Sequence, residues 1–240
     1  IENGKIKKNF FMINNLLIKK FNKLTLITIS KNQKKRFDKS IKFITLSSDI
    51  WEKFGRKFKY FLGIILLIRE ICRNENTIVF SFQANIYCIL VCKLLGVKII
   101  SRSNSAKYNL TNNWFKHKIF KIVLNLADKI IVNSIELKKI LKQEFKVNAT
   151  CIYNPLNILE IRKKAKIKTK KIFSNNNKIK ILNIGRFTYQ KDQMTLLKSL
   201  NYLKNLINYQ AIIIGKGVLK SKLKKYIIKN KLRKNIKIMN

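Results

Sequence analysis

Histidine and acid are scarce in this chain, and that scarcity is the first limit on its chemistry. One histidine, His117, stands among 240 residues, and 11 Asp and Glu face 53 Lys and Arg. The four cysteines, Cys72, Cys88, Cys92 and Cys151, show no C-x-x-C spacing. They sit in apolar surroundings, where buried, reduced thiols suited to the cytosol are expected. A zinc site would need ligands this sequence scarcely has, so no metal site is expected. His117 lies in the helical run WFKHKIFKIVLNL without an acidic or cysteine neighbour and reads as structural. Long apolar runs are missing too: the longest, Phe61 to Ile68, falls well short of the roughly 20 residues that span a bilayer. No repeat at a solenoid period is visible.

What is abundant is positive charge. A net charge of +42 would serve nucleic acid or an anionic membrane surface, because clustered cations gain affinity by releasing counterions. Only eight of the 53 basic residues are arginine, and lysine is rich together with Asn, Ile and Phe, as an AT-rich coding sequence produces. The charge therefore reads first as a generally basic solvated surface, next as attraction to anionic lipid head groups, and last as nucleic-acid binding. Hydrophobic residues make up 47%, enough for a substantial core in one or two domains.

Along the chain, strand and helix patterns alternate. Phe10 to Phe21 carries a helical stripe, Leu24 to Ile29 and Ile41 to Leu46 read as strands, and Trp51 to Cys72 reads as a long helix. Its stripe of Trp51, Phe54, Phe58, Phe61, Ile65, Ile68 and Cys72 suits a crossover helix packed on a sheet; beside its lysines, the same stripe also suits an interfacial helix. Core packing is the expectation. Strands at 77–82 and 97–101 flank a helix that ends at Gly96. The turn that follows, Arg102, Ser103, Asn104 and Ser105, falls at the carboxyl end of a parallel strand, where open α/β sheets place ligands. It is either a polar turn or an acceptor-side loop. A helix at 114–126, a strand at 129–133, a helix at 134–144 and a strand ending in Asn154-Pro155 complete a first domain, 1–155. Residues 156–178, with KKAKIKTKK, read as a basic linker, and 179–240 as the first part of a second domain.

The organising stretch is KIKILNIGRFTYQKDQMTLLKSL, residues 178–200. Ile179, Ile181, Leu182 and Ile184 form the apolar run of a buried parallel strand, and Gly185 turns the chain. A leucine-rich helix follows, with Thr188 or Asp192 as its N-cap. Between them Arg186 and Lys191 stand where a helix N-terminus offers unpaired N–H groups, a place that attracts phosphate. An Arg fork and a Lys point charge suit a diphosphate. The alternative is a solvated basic loop. Further on, Gly215-Lys216-Gly217 makes a second tight turn after a strand at 210–214.

Gly185-Arg186-Phe187-x-x-x-Lys191-Asp192 after a strand resembles the donor-binding signature of family 4 retaining glycosyltransferases of the GT-B fold, whose usual form is G-R-L-x-x-x-K-G. ADKIIVNSIELKKIL, CIYNPLN and the paired glycines fall in the same order as in that family, so the resemblance covers most of the chain. It implies an α/β fold of two Rossmann-like domains with parallel sheets, the second incomplete. It also implies a hexose or N-acetylhexosamine transferred with retention from a nucleotide diphosphate sugar to a polysaccharide or lipid-linked saccharide. Arg186 and Lys191 would hold the diphosphate, with no cofactor and no metal, and Gly185, Gly215 and Gly217 would line the nucleotide pocket by backbone. Lys216 stands where an acid is common and Val218 where Pro is usual. Arg102, Ser103 and Asn104 would lie on the acceptor side; many relatives carry a histidine there. The family's glycine-rich turn in the first domain falls near Asn3 and Gly4, and its pair of glutamates lies beyond Asn240, so both ends read as cut and this polypeptide is expected to turn over little. No catalytic residue is assigned. The expected location is the cytoplasm, or the inner face of the plasma membrane. The competing expectations are a basic membrane- or nucleic-acid-binding module and a GT-B sugar-nucleotide epimerase.

Overall fold

A computed structural model describes residues 12–14, 16–28, 40–46, 55–104, 114–167, 172–173 and 177–239. Asn3, Gly4, Phe10, Phe11, Ile29, Trp51, Phe54 and Ser105 lie outside the described residues. The chain divides into two compact units, 1–158 and 159–240.

In the first unit, β1 (Thr25–Ile27) pairs in parallel with β2 (Lys42–Ile44). Helix α1 (Arg56–Cys72) leads to a second sheet. There β3 (Ile78–Ser81), β4 (Lys98–Ser103), β5 (Lys129–Val132) and β6 (Ala149–Cys151) lie side by side in sequence order, all parallel. Helices α2 (Asn85–Leu94), α3 (Trp114–Asn125) and α4 (Ile135–Phe145) make the crossovers. Because right-handed crossovers between successive neighbours fall on one side, these helices form one layer, with α1 packed beside α2. Ile89, Cys92, Ile99, Val132, Leu141 and Phe145 are wholly buried between layer and sheet. Burial pushes the Cys88 and Cys92 thiols up to about 12 and about 11. Cys72, by contrast, is exposed. Ser134 caps α4, its Oγ accepting from Leu137 N–H at 3.1 Å.

Helix α1 corrects the sequence expectation. Ile64, Leu67 and Ile71 pack on the core, whereas Phe58, Phe61, Ile65 and Ile68, the stripe expected to do so, are exposed. The helix carries two apolar stripes side by side, and periodicity alone does not say which one faces the sheet. Glu70 ties α1 to the small sheet: it accepts from Lys42 Nζ at 2.8 Å and from Thr25 Oγ1 at 3.3 Å. Burial pushes its carboxyl pKa up, and the Lys42 ammonium with the Thr25 hydroxyl more than offsets this, leaving it below its ordinary value.

The second unit begins in α5 (Ile158–Ala165), so the expected linker opens with a helix; none of its residues is buried, and Glu160 pairs with Lys164 one turn on. Three parallel strands follow in the order β7 (Ile179–Ile184), β8 (Tyr209–Ile214), β9 (Ile236–Met239). Helix α6 (Gln193–Leu203) joins the first pair and α7 (Lys220–Lys229) the second. Leu197, Tyr209, Ala211, Ile213 and Leu223 are fully buried in one core, and Tyr209 Oη donates to the carbonyl of Leu200 at 2.8 Å. Among the described residues β7 pairs on one side only. Leu182 and Ile184 point away from the helices and are exposed, Ile184 by 70%, so β7 is not the buried strand its composition predicts. Among the described residues no helix is long and apolar enough to cross a membrane.

Candidate functional site

The loop after β7 is built by three devices that the sequence supplies. Gly185 comes first: a Cβ there would sit 3.2 Å from Gln193 Nε2, tighter than ordinary contact. A single 3-10 turn, Tyr189–Lys191, then carries Lys191 back beside Gly185, whose added Cβ would lie 3.8 Å from Lys191 Cγ. Asp192 ends the turn and starts α6. It adopts the left-handed conformation, φ +43°, while its Oδ1 accepts from Thr195 N–H at 3.3 Å and its Oδ2 from Thr195 Oγ1 at 2.7 Å. That backbone conformation favours Gly or a short polar side chain, and an aspartate also caps the helix. Of the two caps the sequence offers, Asp192 makes the bond to α6; Thr188 precedes the 3-10 turn without a side-chain cap bond.

Gln193 was missed by sequence reasoning. It is 2% exposed, its Nε2 donates to the carbonyl of Arg186 at 3.1 Å, and its Oε1 is buried without a partner. An amide in the first turn of an amphipathic helix carries no sequence signal of its own; the buried setting gives it weight.

The two loops after β7 and β8 are joined through their backbones. Gly185 N–H donates to the carbonyl of Ile214 at 3.0 Å, Phe187 N–H to that of Lys216 at 2.9 Å, and Leu219 N–H to that of Phe187 at 3.1 Å. A Cβ on Gly215 would collide with the carbonyl oxygen of Gly185, and one on Gly217 with the carbonyl of Phe187. Gly217 also has φ +155°. Both glycines are therefore required by close approach of the loops. The arrangement leaves Arg186, Lys191 and Lys216 exposed at the carboxyl end of the sheet. Among the described residues neither Arg186 nor Lys191 is engaged by a carboxylate, and Asp192, the acid nearest in sequence, is committed to Thr195.

In the first unit, β4 runs two residues past its expected end. Arg102 pairs with Ile131 and Ser103 with Val132, so both belong to the strand and not to the turn. Arg102 is 3% exposed; its Nη2 donates to the carbonyl of Ile152 at 3.0 Å and to Asn154 Oδ1 at 3.1 Å. Burial lowers its pKa from the ordinary arginine value. Ser81 Oγ donates to Asn85 Oδ1 at 3.2 Å, and Asn85 Nδ2 to the carbonyl of Arg102 at 3.0 Å. Ser81 and Asn85, also missed in the sequence, thus link the ends of β3 and β4, and the Arg102 side chain carries the link on to the segment just after β6. Ser103 is buried, and Asn104 keeps a buried Oδ1 without a partner. His117 stacks on Phe145 at 4.5 Å and lies 3.9 Å from Glu144. A cleft of about 520 Å³, lined by Ile135, Lys138, Lys139, Lys142, Cys151 and Tyr153, holds none of the candidate donor- or acceptor-side residues. Among the described residues, no three of His, Cys, Asp and Glu come together as a metal site.

Residues 164–240 match the family model described as Glycosyl transferases group 1. The chain is 32% identical over 197 residues to an uncharacterized glycosyltransferase of Methanocaldococcus jannaschii, covering 73% of this chain and 47% of that protein. Among solved structures it is similar to a glycosyltransferase from Rickettsia africae, with a TM-score of 0.60 and 18% identity over 98% of this chain and 64% of that one. It is also similar to HepE of Anabaena in complex with UDP, with a TM-score of 0.54 and 13% identity over 83% of this chain and 56% of that one. The chain therefore spans about half the length of the curated relative it matches. At these identities the structures establish the fold, parallel α/β of the GT-B glycosyltransferase type.

Proposed function

We propose that this chain belongs to a retaining glycosyltransferase that moves a hexose or N-acetylhexosamine from a nucleotide diphosphate sugar to a polysaccharide or lipid-linked saccharide. The observation that carries the reading is the joined pair of loops after β7 and β8. It holds Arg186 and Lys191 exposed and, among the described residues, without carboxylate partners at the start of a helix, within the segment that matches a glycosyltransferase family. Two fixed cations beside helix N–H groups suit a diphosphate, and they would take up the charge that develops there as the glycosidic bond breaks.

In this reading Arg186 provides a bidentate grip and Lys191 a point charge, while Gly185, Gly215 and Gly217 bring backbone close to the nucleotide. Ser103 and Asn104, at the end of β4, would stand on the acceptor side, with Arg102 holding the Ile152–Asn154 segment in place behind them. The HepE structure contains UDP, which makes a uridine nucleotide the first donor to try.

The test is a transfer assay on the full gene product, with UDP-, GDP- and ADP-sugars and saccharide acceptors. Nucleoside diphosphate should be released only when an acceptor is present, and the new glycosidic bond should keep the donor's anomeric configuration by proton NMR. Inversion would remove the retaining mechanism. Release of a free 2-epimerised sugar without acceptor would replace transfer by epimerisation.

A further inference from the structure

The first unit carries a second surface that the donor reading does not use. Helix α1 exposes Phe58, Phe61, Ile65 and Ile68, spaced three and four residues apart, with Phe61 exposed by 60%. Its neighbour α2 exposes Tyr87, Leu90 and Leu94 with the same spacing, and Tyr87 lies 6.5 Å from Tyr60 of α1, ring to ring. On α3, packed against α2, Phe115, Ile119 and Ile122 are exposed in turn. Each of the three helices thus buries one apolar stripe against the sheet and turns another outward. Aromatic and aliphatic side chains gathered in this way on one layer mark an interaction surface.

Charge decides what fits that surface. Lys57 and Arg69 are exposed on either side of the α1 stripe by helical spacing, and Lys118 of α3 lies 5.1 Å from the Trp114 ring. Glu70 is the one acid in the sequences of α1, α2 and α3, and it is buried against Lys42. A second copy of the chain would bring the same cations and another +42 of charge against this face, with no exposed acid on the three helices to meet them. Nucleic acid would satisfy the cations and leave Ile65, Ile68 and Leu94 without a partner. An anionic bilayer satisfies both: phosphates for the cations, and the boundary between head groups and acyl chains for the rings and aliphatic side chains.

We propose that the outer face of the α1–α3 layer docks on an anionic lipid surface, with the α1 stripe inserted at the interface and Lys57 and Arg69 on lipid phosphates. This inference is independent of the donor reading. The experiment is vesicle flotation of the chain with phosphatidylcholine alone and with added phosphatidylglycerol, on the wild type, Phe61→Glu/Ile65→Glu and Lys57→Gln/Arg69→Gln. Circular dichroism checks that each variant is folded, and Ile122→Glu on α3 stands in if the α1 double variant is not. Wild-type chain should float with the anionic vesicles, and the apolar variant should bind at least about tenfold more weakly. The charge variant should lose roughly fivefold per cation at low salt and less at high salt. Wild-type chain that stays at the bottom with both vesicles would overturn the proposal. So would equal flotation of the apolar variant, which would make the attraction charge alone. A concentration-dependent dimer split by Phe61→Glu would give the face to a second copy instead.

Discussion

The N–H of Phe187 donates to the carbonyl of Lys216 at 2.9 Å, and the carbonyl of Phe187 accepts from Leu219 N–H at 3.1 Å. Through this pair the loop that carries Arg186 and Lys191 and the loop that carries the two glycines become one piece of backbone. Phe187 is also wholly buried, so the joint is anchored in the core of the second unit.

Gly217→Ala should therefore be severe, because the added Cβ meets the Phe187 carbonyl in a backbone conformation unsuited to L residues. Loss of roughly 2–4 kcal/mol in urea unfolding is expected. Gly96→Ala, where nothing lies within reach of the new atom and only the left-handed φ is strained, should cost about 1 kcal/mol. Equal losses would mean that the joint contributes nothing.

Asp192 combines a left-handed backbone with a helix cap, so its two simplest replacements should differ. Asp192→Ala loses the cap and keeps the strain, and should cost about 1–2 kcal/mol in thermal or urea unfolding. Asp192→Gly loses the cap and relieves the strain, and should fall within a few tenths of a kcal/mol of the parent.

Glu70 sets a pH dependence whose sign is fixed. Its folded pKa lies below the ordinary value of 4.5, so its carboxylate stabilises the first unit above that value, and the contribution fades as pH falls through the lower, folded value. Glu70→Gln should lose about 1–3 kcal/mol near neutral pH. The gap between variant and parent should close under acid conditions. A gap that widens on acidification would contradict the Lys42–Glu70 contact.

Thiol labelling separates the cysteines. Cys72 should react with iodoacetamide in the folded chain, whereas Cys88 and Cys92, buried and with pKa values pushed up to about 12 and about 11, should react only on unfolding. Peptide mass spectrometry reads the difference directly.

The alternation of strand and helix was legible because parallel strands and their crossovers leave distinct periods, and β7 begins and ends at Ile179 and Ile184 as its apolar run says. The two cations of the loop were legible because Gly185 and the leucines of α6 frame them. What was not legible depended on the third dimension. Periodicity could not rank the two stripes of α1, so the exposed one was expected to be buried. Arg102 looked like a turn residue because a cation inside a parallel sheet is rare; it is there because the carbonyl of Ile152 and the side chain of Asn154 receive it. Gly215 and Gly217 read as pocket lining, while their backbones are needed first to let the two loops touch.

Donor binding by calorimetry is the measurement that tests the central claim most directly. It should be run on the full gene product with UDP-, GDP- and ADP-sugars, beside Arg186→Ala and Lys191→Ala. One nucleotide sugar should bind at roughly micromolar concentration, and each substitution should weaken it by about 1–3 kcal/mol, the loss expected of charge-assisted contacts. Binding that ignores both substitutions, or no binding by any nucleotide sugar, would contradict the assignment of this loop to a donor diphosphate.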